Sequence, residues 1–193
     1  MTAPRTFKHF SEFGTQEEWK KVHAIVNDLA YECTNFFAAR RLKEFLNEKG
    51  KELVETNWSY SAFENSIFAI SNFISVLNFL SEQPCVKKFN AGHSATIKAK
   101  QEIRALFPDA RAMRDAIAHP EVYSRRAAKT VAKTAIQLEG LPVTIGPGVC
   151  RRIVINDWYI CTFEGRVCTH QLSDAVGEKL EALIADLAEP FLE

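Results

Sequence analysis

Apolar residues recur every three or four positions over most of this chain, which is the spacing that predicts amphipathic helices. The first run follows Thr15, which has the spacing of a helix capping box with Glu18, and it ends at Gly50. A helix of over thirty residues is long for a globular protein, so a break near Thr34 and Asn35 is one interpretation. The apolar face nevertheless continues beyond that point at Leu42, Phe45 and Leu46.

A second helix is predicted to begin near Ser61, with Glu64 completing another capping box, and to end before Pro84. Its body is rich in Phe and Ile but is interrupted by Asn and Ser, so we expect a buried helix and not a membrane span. The small polar residues suit ordinary packing, and a subunit interface or a substrate groove is the alternative. A third helix, from about Ser94 to Phe107, meets Pro108, which either kinks it or starts a new helix.

The hydrophobic period changes near residue 141. From there to residue 172, β-branched and aromatic runs alternate with turn residues, which predicts an antiparallel β-meander with strands at Val143–Ile145, Val149–Ile155, Trp158–Phe163 and Arg166–Leu172. The segment from Tyr123 to Gly140 has no clear period and fits a helix or an irregular arm equally well. A final helix is capped by Ser173 and Asp174 and stopped by Pro190. Because about thirty residues cannot build a core, the meander is interpreted as an insertion in an α domain.

Charge is balanced overall, with 24 basic and 24 acidic residues, which argues against a protein that coats nucleic acid by bulk electrostatics. Its distribution is uneven. Nine basic and four acidic residues lie between Lys98 and Lys133, whereas the stretch from Asp174 to Glu193 has six acids and one lysine. A phosphate-bearing ligand would therefore prefer the first region, and a solvated helix face is the alternative interpretation of its lysines.

The five cysteines are odd in number and have no paired C-x-x-C spacing, so they are interpreted as buried, reduced thiols. Cys161 and Cys168 have the spacing to face each other across a hairpin. His9, His23, His93 and His170 are too scattered for a metal site, and we expect no metal and no cofactor. The first ten residues contain no apolar run, so no signal peptide is predicted and a cytoplasmic location is expected.

The segment from Ala112 to Pro120 carries the clearest chemical pattern in the chain. Arg114 and His119 are separated by four residues, and Pro120 marks the end of the helix because the residue before a proline is driven out of the α region. Arginine supplies a fixed cation for a phosphate, and histidine carries a proton near neutral pH. If His119 lies outside the regular helix, its ring can approach the long Arg114 side chain. The alternatives are a histidine that caps the helix and a surface ion pair between Arg114 and Asp115.

Arg114, Asp115 and His119 resemble the Arg-polar-x-x-x-His motif of the HEPN domains, a superfamily of small helical bundles. The resemblance implies a mainly α fold, with a HEPN-like bundle over residues 15–123 and a closing helix at 173–190. With the meander at 141–172 as an insertion, the chain is predicted to be one domain spanning residues 1–193. Many HEPN proteins are metal-independent endoribonucleases that act as homodimers, and others have become binding or regulatory modules.

The resemblance implies two functions for this chain. The first is a metal-independent endoribonuclease, a toxin or defence effector with an inhibitory protein partner, in which Arg114, Asp115 and His119 are catalytic. The second is a non-catalytic dimeric module that binds a nucleotide, RNA or another protein through the same residues. Arg111, Arg125 and Arg126 lie near the motif and are candidate contacts to RNA phosphates. Either function predicts a homodimer and no membrane partner.

Overall fold

The computed structural model describes residues 6–9, 11, 14–49, 53–119, 136–137, 144–145, 152–163 and 166–193. Within them, six α-helices are formed: α1 (Gln16–Lys49), α2 (Leu53–Glu82), α3 (Pro84–Lys88), α4 (Asn90–Leu106), α5 (Ala110–Ala118) and α6 (Asp174–Ala188). The strands are β1 (Ile136–Gln137), β2 (Thr144–Ile145), β3 (Ile153–Ile155), β4 (Trp158–Phe163) and β5 (Arg166–Gln171). The predicted fold class is confirmed, since the chain is mainly helical and has a small antiparallel sheet directly before its last helix.

Helix α1 begins with the predicted capping box. The backbone N–H of Thr15 donates to Glu18 Oε2 at 3.0 Å, and the Glu18 N–H donates back to Thr15 Oγ1 at 3.2 Å. These hydrogen bonds hold the pKa of Glu18 below its ordinary value. The predicted break near Thr34 and Asn35 is wrong, because α1 is continuous and the Thr34 hydroxyl donates to the Ala30 carbonyl one turn earlier.

Helix α2 ends at Glu82, before Pro84, as predicted, but it begins at Leu53 and not near Ser61. Ser61 lies inside the helix, and its hydroxyl donates to the carbonyl of Asn57. Its proposed partner in a capping box, Glu64, instead accepts a 2.8 Å hydrogen bond from Arg152 Nη1. A serine followed by a glutamate three residues later has the same local sequence inside a helix as at its start, so the pattern alone misplaced this boundary.

The segment Asn57–Glu82 is long and apolar enough to cross a membrane, judged by length and composition alone. Half of its most apolar window is buried within the structure, and the core helix of a soluble protein has the same composition, so this is weak evidence. The expectations that α2 does not span a membrane and that the chain is cytoplasmic stay predictions.

The predicted third helix is longer than expected, because α4 begins at Asn90 and not at Ser94. It is preceded by the five-residue helix α3, which was not predicted and which opens with Pro84 in its first turn. Pro108 lies in the turn after α4, and a separate helix, α5, begins at Ala110. Of the two alternatives at Pro108, the structure therefore shows the second.

Strands β3, β4 and β5 form a three-stranded antiparallel sheet in that order. The turn between β3 and β4 is formed by Asn156 and Asp157, as predicted, and Asn156 adopts a φ of 52°, a conformation that asparagine tolerates better than most residues. The first predicted strand, Val143–Ile145, does not join this sheet. Its described part, β2, pairs with β1 in a separate two-stranded sheet, so the sheet formed by the described residues of the meander has three strands and not the four predicted.

Backbone contacts divide the chain into two compact units, to both of which α1 and α2 contribute. The first unit comprises Met1–Phe37, Ala69–Pro108 and Asp174–Glu193, and in it α4 packs against α6. A short bridge pairs Phe7 with Leu192, so this unit holds both ends of the described chain. Its buried core includes Val22, Leu29, Phe36, Phe73, Leu77, Ile103, Leu180 and Phe191.

The second unit comprises Ala38–Phe68 and Asp109–Ser173, and in it α5 packs against β4 and β5. Its core includes Ala39, Leu46, Phe63, Ile67, Met113, Tyr159, Ile160, Cys168 and Leu172. The buried ammonium of Lys43 donates to the Asp157 carboxylate and to the carbonyl oxygen of Leu172. These two hydrogen bonds connect α1 to the turn between β3 and β4 and to the residue that follows β5. The expectation of a single domain over residues 1–193 stays a prediction.

Candidate functional site

The candidate site lies on α5, whose two sides differ sharply in character. Its buried side is formed by Ala110, Ala112, Met113 and Ala116. Ala118, in contrast, is exposed. The opposite side carries Arg111, Arg114, Asp115 and Ala118, which follow one another at three-residue and one-residue steps and so share one face of the helix. The apolar side seats α5 on the sheet, and the polar side faces outward.

The start of α5 is fixed by the carboxylate of Asp109, a residue that is almost fully buried. Its Oδ1 accepts a hydrogen bond from Arg166 Nη1 at 2.7 Å, and its Oδ2 accepts one from the backbone N–H of Thr169 at 3.0 Å. Asp109 occupies the N-cap position but makes no side-chain cap, because its carboxylate is committed to β5. This clamp was not predicted from the sequence. Its only local signal is an aspartate just before a helix, and nothing near it in the sequence identifies the two partners.

Arg114 and Asp115 form a two-point hydrogen bond. The Nε and Nη2 atoms of Arg114 donate to the same Asp115 oxygen, at 3.0 and 2.5 Å. Each side chain is 34% exposed, so the pair lies at the surface without being fully solvated. Within the described residues, the Nη1 atom of Arg114 has no hydrogen bond, and this end of the guanidinium retains donors for a ligand. The surface ion pair that the sequence analysis held as an alternative is therefore present.

His119 is the residue that follows α5. Its backbone has left the helical region, with φ of −126° and ψ of 58°, as expected for the residue before Pro120. Its N–H still donates to the Asp115 carbonyl at 3.1 Å, so it stands one turn beyond Asp115, and the residue is exposed. Asp115 thus has Arg114 as its neighbour and His119 one turn further on. The three motif residues run from the middle of α5 to the residue that follows it.

Of the remaining predicted site residues, one lies within the described residues and two lie outside them. Arg111 is exposed on α5, on the same face as Arg114. Arg125 and Arg126 lie outside the described residues. No group of three His, Cys, Asp or Glu side chains within the described part of the chain is arranged to hold a metal ion.

A second pair with the residue types of a catalytic site is Ser66 and His170. Their side chains lie 2.8 Å apart, from Ser66 Oγ to His170 Nε2, and both residues are buried. The Ser66 hydroxyl donates its one hydrogen to the Phe63 carbonyl at 2.7 Å, so the histidine must donate to the serine and cannot act as its base. We interpret this pair as a hydrogen bond of the core.

No protein-family model, no curated protein and no solved structure matches this chain. The resemblance to the HEPN domains therefore rests on Arg114, Asp115 and His119.

Proposed function

We propose that this chain is a metal-independent endoribonuclease of HEPN type, with Arg114 and His119 acting on RNA in a cleft formed by two copies of the chain. One observation carries the proposal: the Arg114–Asp115 pair lies on the outer face of α5, one helical turn before the exposed His119. Arg114 and His119 thus lie five residues apart along one short segment of the chain.

In this proposal Arg114 binds the phosphate. Asp115 holds the Nε and Nη2 atoms of its guanidinium, which restricts the side chain and leaves the Nη1 end for a phosphate oxygen. A cation in this position stabilises the charge that builds up on the equatorial oxygens as the phosphate is attacked. Asp115 is then a positioning residue, and Arg111, Arg125 and Arg126 are further candidate contacts to the RNA backbone.

His119 is assigned the proton transfers. The RNA 2′-oxygen forms a bond to phosphorus and gives its proton to a base, while the bond from phosphorus to the 5′-oxygen breaks and that oxygen takes a proton from an acid. The products are a 2′,3′-cyclic phosphate and a 5′-hydroxyl. His119 from each of two copies would divide these roles.

The test is cleavage of mixed RNA by the purified protein with EDTA present. The wild type is expected to release fragments with cyclic phosphate ends, and His119→Ala is expected to lower the rate by about 10²–10⁴-fold, the usual contribution of a general acid or base. Arg114→Ala is expected to be similarly defective. Arg104→Ala, which removes an exposed arginine from α4, is the matched control and keeps wild-type activity.

The role of Asp115 is tested by comparing the activities of two variants. Asp115→Asn keeps an oxygen that can accept from Arg114, and Asp115→Ala does not, so the first variant is expected to retain more activity than the second. Cleavage that requires a divalent metal, or that survives His119→Ala, would refute the proposal.

The second candidate is a non-catalytic module that binds a nucleotide, RNA or a protein through the same residues. The observation that favours it is the ion pair itself, because Asp115 offsets the charge of Arg114. RNA that binds to the wild type without being cleaved, and that binds less tightly to Arg114→Ala, would identify this second function.

A further inference from the structure

Helix α2 is covered over most of its circumference, and its exposed positions form a narrow, regular stripe. From Trp58 onward they are Trp58, Ser61, Asn65, Asn72, Ser75, Phe79 and Glu82, and the half-buried Phe68 occupies the one remaining step. Asn57, directly before Trp58, is exposed as well. The spacing alternates between three and four residues throughout. This is a seven-residue repeat on the outside of the helix, opposite its buried side chains. We call the part of it from Trp58 to Phe79 the α2 stripe.

A seven-residue repeat keeps one face of a helix against a second helix over several turns. The core of the chain does not need the α2 stripe, because Trp58 and Phe79 are 53% and 48% exposed. With a rise of about 1.5 Å per residue, the stripe is roughly 30 Å long. A second helix packed along the stripe would cover both of these aromatic side chains.

The order of residues in the α2 stripe is nearly the same in both directions. Read outward from Phe68, each direction gives asparagine, then serine, then an aromatic residue: Asn65, Ser61 and Trp58 on one side, and Asn72, Ser75 and Phe79 on the other. Each pair is equidistant from Phe68 to within one residue. Two copies of the stripe laid antiparallel would therefore place like residues opposite each other about a two-fold axis at Phe68.

The chemistry of the stripe suits contact with its own copy. Between Asn57 and Ser81 the only charged residue is Glu64, which already binds Arg152, so no like charges of the stripe would meet. The Ser61 and Ser75 hydroxyls both donate to carbonyls one turn back, which leaves two small, satisfied side chains where helices approach closely.

The two asparagines are complementary. The amide nitrogen of Asn72 donates to Glu32 Oε1 at 3.3 Å, which leaves its oxygen as an acceptor. Asn65 can supply the donor from the opposite helix. Asparagine at such a position in paired helices fixes register and orientation.

We propose that α2 pairs antiparallel with α2 of a second copy of this chain, through the α2 stripe and across a two-fold axis at Phe68. This pairing does not depend on the proposed ribonuclease activity. A lipid surface is the less suitable occupant, because four of the seven residues of the stripe are Asn or Ser, which are costly to expose to hydrocarbon.

The first test uses two double variants that differ only at residue 65. In the antiparallel pair, residue 65 faces residue 72 of the second copy, so Asn65→Lys with Asn72→Lys sets like charges together and is expected to give the monomer mass of 21.8 kDa. Asn65→Glu with Asn72→Lys sets opposite charges together and is expected to keep the wild-type dimer, at twice that mass. Both positions are exposed, and circular dichroism checks that both variants fold. Mass is measured by sedimentation or light scattering at micromolar concentration.

The second test gives the orientation and does not require a disruptive variant. In a Cys150→Ser background, Ser61→Cys with Ser75→Cys is expected to form a disulfide-linked dimer under mild oxidation, whereas either substitution alone is not. Residues 61 and 75 are about 21 Å apart on one helix, so the bond must join two chains.

A wild-type chain that remains monomeric, or a Ser61→Cys chain that links efficiently to itself, would overturn the proposal. Binding of the monomer to phosphatidylcholine vesicles would do the same and would assign the stripe to a membrane. RNA cleavage is measured separately, so loss of cleavage leaves the α2 pairing standing, whereas a monomeric wild type would also remove the two-copy cleft of the proposed ribonuclease.

Discussion

The Nε2 atom of His170 lies 2.8 Å from the hydroxyl oxygen of Ser66, and His170 is buried beneath its own sheet at 2% exposure. Burial lowers the pKa of His170 from 6.5 to about 3, because the protonated ring would lose its hydration. The folded chain therefore keeps this histidine neutral over a pH range in which the unfolded chain binds a proton.

This difference predicts acid sensitivity. The stability that neutral His170 provides is fully present above its unfolded pKa and is lost as the pH falls from 6.5 toward 3, by up to about 1.4 kcal/mol for each pH unit. The free energy of unfolding, measured in urea at pH 7, 6 and 5, is expected to fall accordingly.

His170→Gln is the comparison, since glutamine can still donate to Ser66 and does not titrate. Its free energy of unfolding is expected to fall less than that of the wild type between pH 7 and pH 5. Carboxylates contribute equally to both chains, so parallel curves would contradict the assignment to His170.

At the clamp that starts α5, substitutions of Asp109 and of Arg166 are expected to lower the free energy of unfolding by unequal amounts. Asp109→Ala removes the acceptor of the Thr169 N–H and is expected to cost about 1–3 kcal/mol. Arg166 is 57% exposed, and Arg166→Ala leaves the Thr169 bond intact, so its cost is expected to be about 0–1 kcal/mol. Urea denaturation measures both, and equal losses would show that the ion pair and not the backbone bond holds α5.

At Gly92, substitution by alanine is expected to destabilise the chain, which is the reverse of the usual effect of alanine in a helix. A Cβ at this buried position would lie 2.5 Å from Cδ1 of Phe89 and 2.8 Å from Cζ of Phe191. Gly92→Ala should therefore destabilise the chain by about 1–3 kcal/mol, although alanine is otherwise favoured in helices by about 1 kcal/mol. Thermal unfolding gives the sign. Adding Phe191→Leu, which shortens the obstructing ring, is expected to recover part of the loss caused by the alanine.

The buried cysteine thiols are expected to be protected from thiol reagents until the chain unfolds. Cys33, Cys85, Cys161 and Cys168 are buried thiols outside any disulfide bond, and burial raises the pKa of Cys33 to about 12, so its reactive thiolate is scarce near neutral pH. Cys161 and Cys168 are cross-strand partners in the sheet, as the hairpin spacing suggested.

These four thiols are expected to remain unreacted with Ellman's reagent in the folded protein and to react in guanidinium chloride. Mass spectrometry of the labelled peptides separates them from Cys150. Rapid labelling of any of the four without denaturant would contradict the burial described for them.

The sequence determined the features that depend on neighbouring residues. The capping box of Thr15 and Glu18, the turn at Asn156 and Asp157, and the end of α5 at His119 were predicted because each is stabilised by groups within a few positions of one another. The two long strands of the sheet and the last helix followed from their hydrophobic periods. The false helix start at Ser61 marks the limit of such reasoning, because its local pattern is identical inside a helix.

Tertiary structure decided which distant groups meet. Asp109 binds β5 about sixty residues later, Lys43 binds Asp157, and His170 is buried against Ser66, although none of these side chains carries a local sign of its partner. It also decided which side of α2 is left uncovered. Secondary structure follows mainly from interactions between residues that are close in the sequence, so the sequence predicts it. Buried polar contacts depend on packing between distant segments, which no short stretch of sequence encodes.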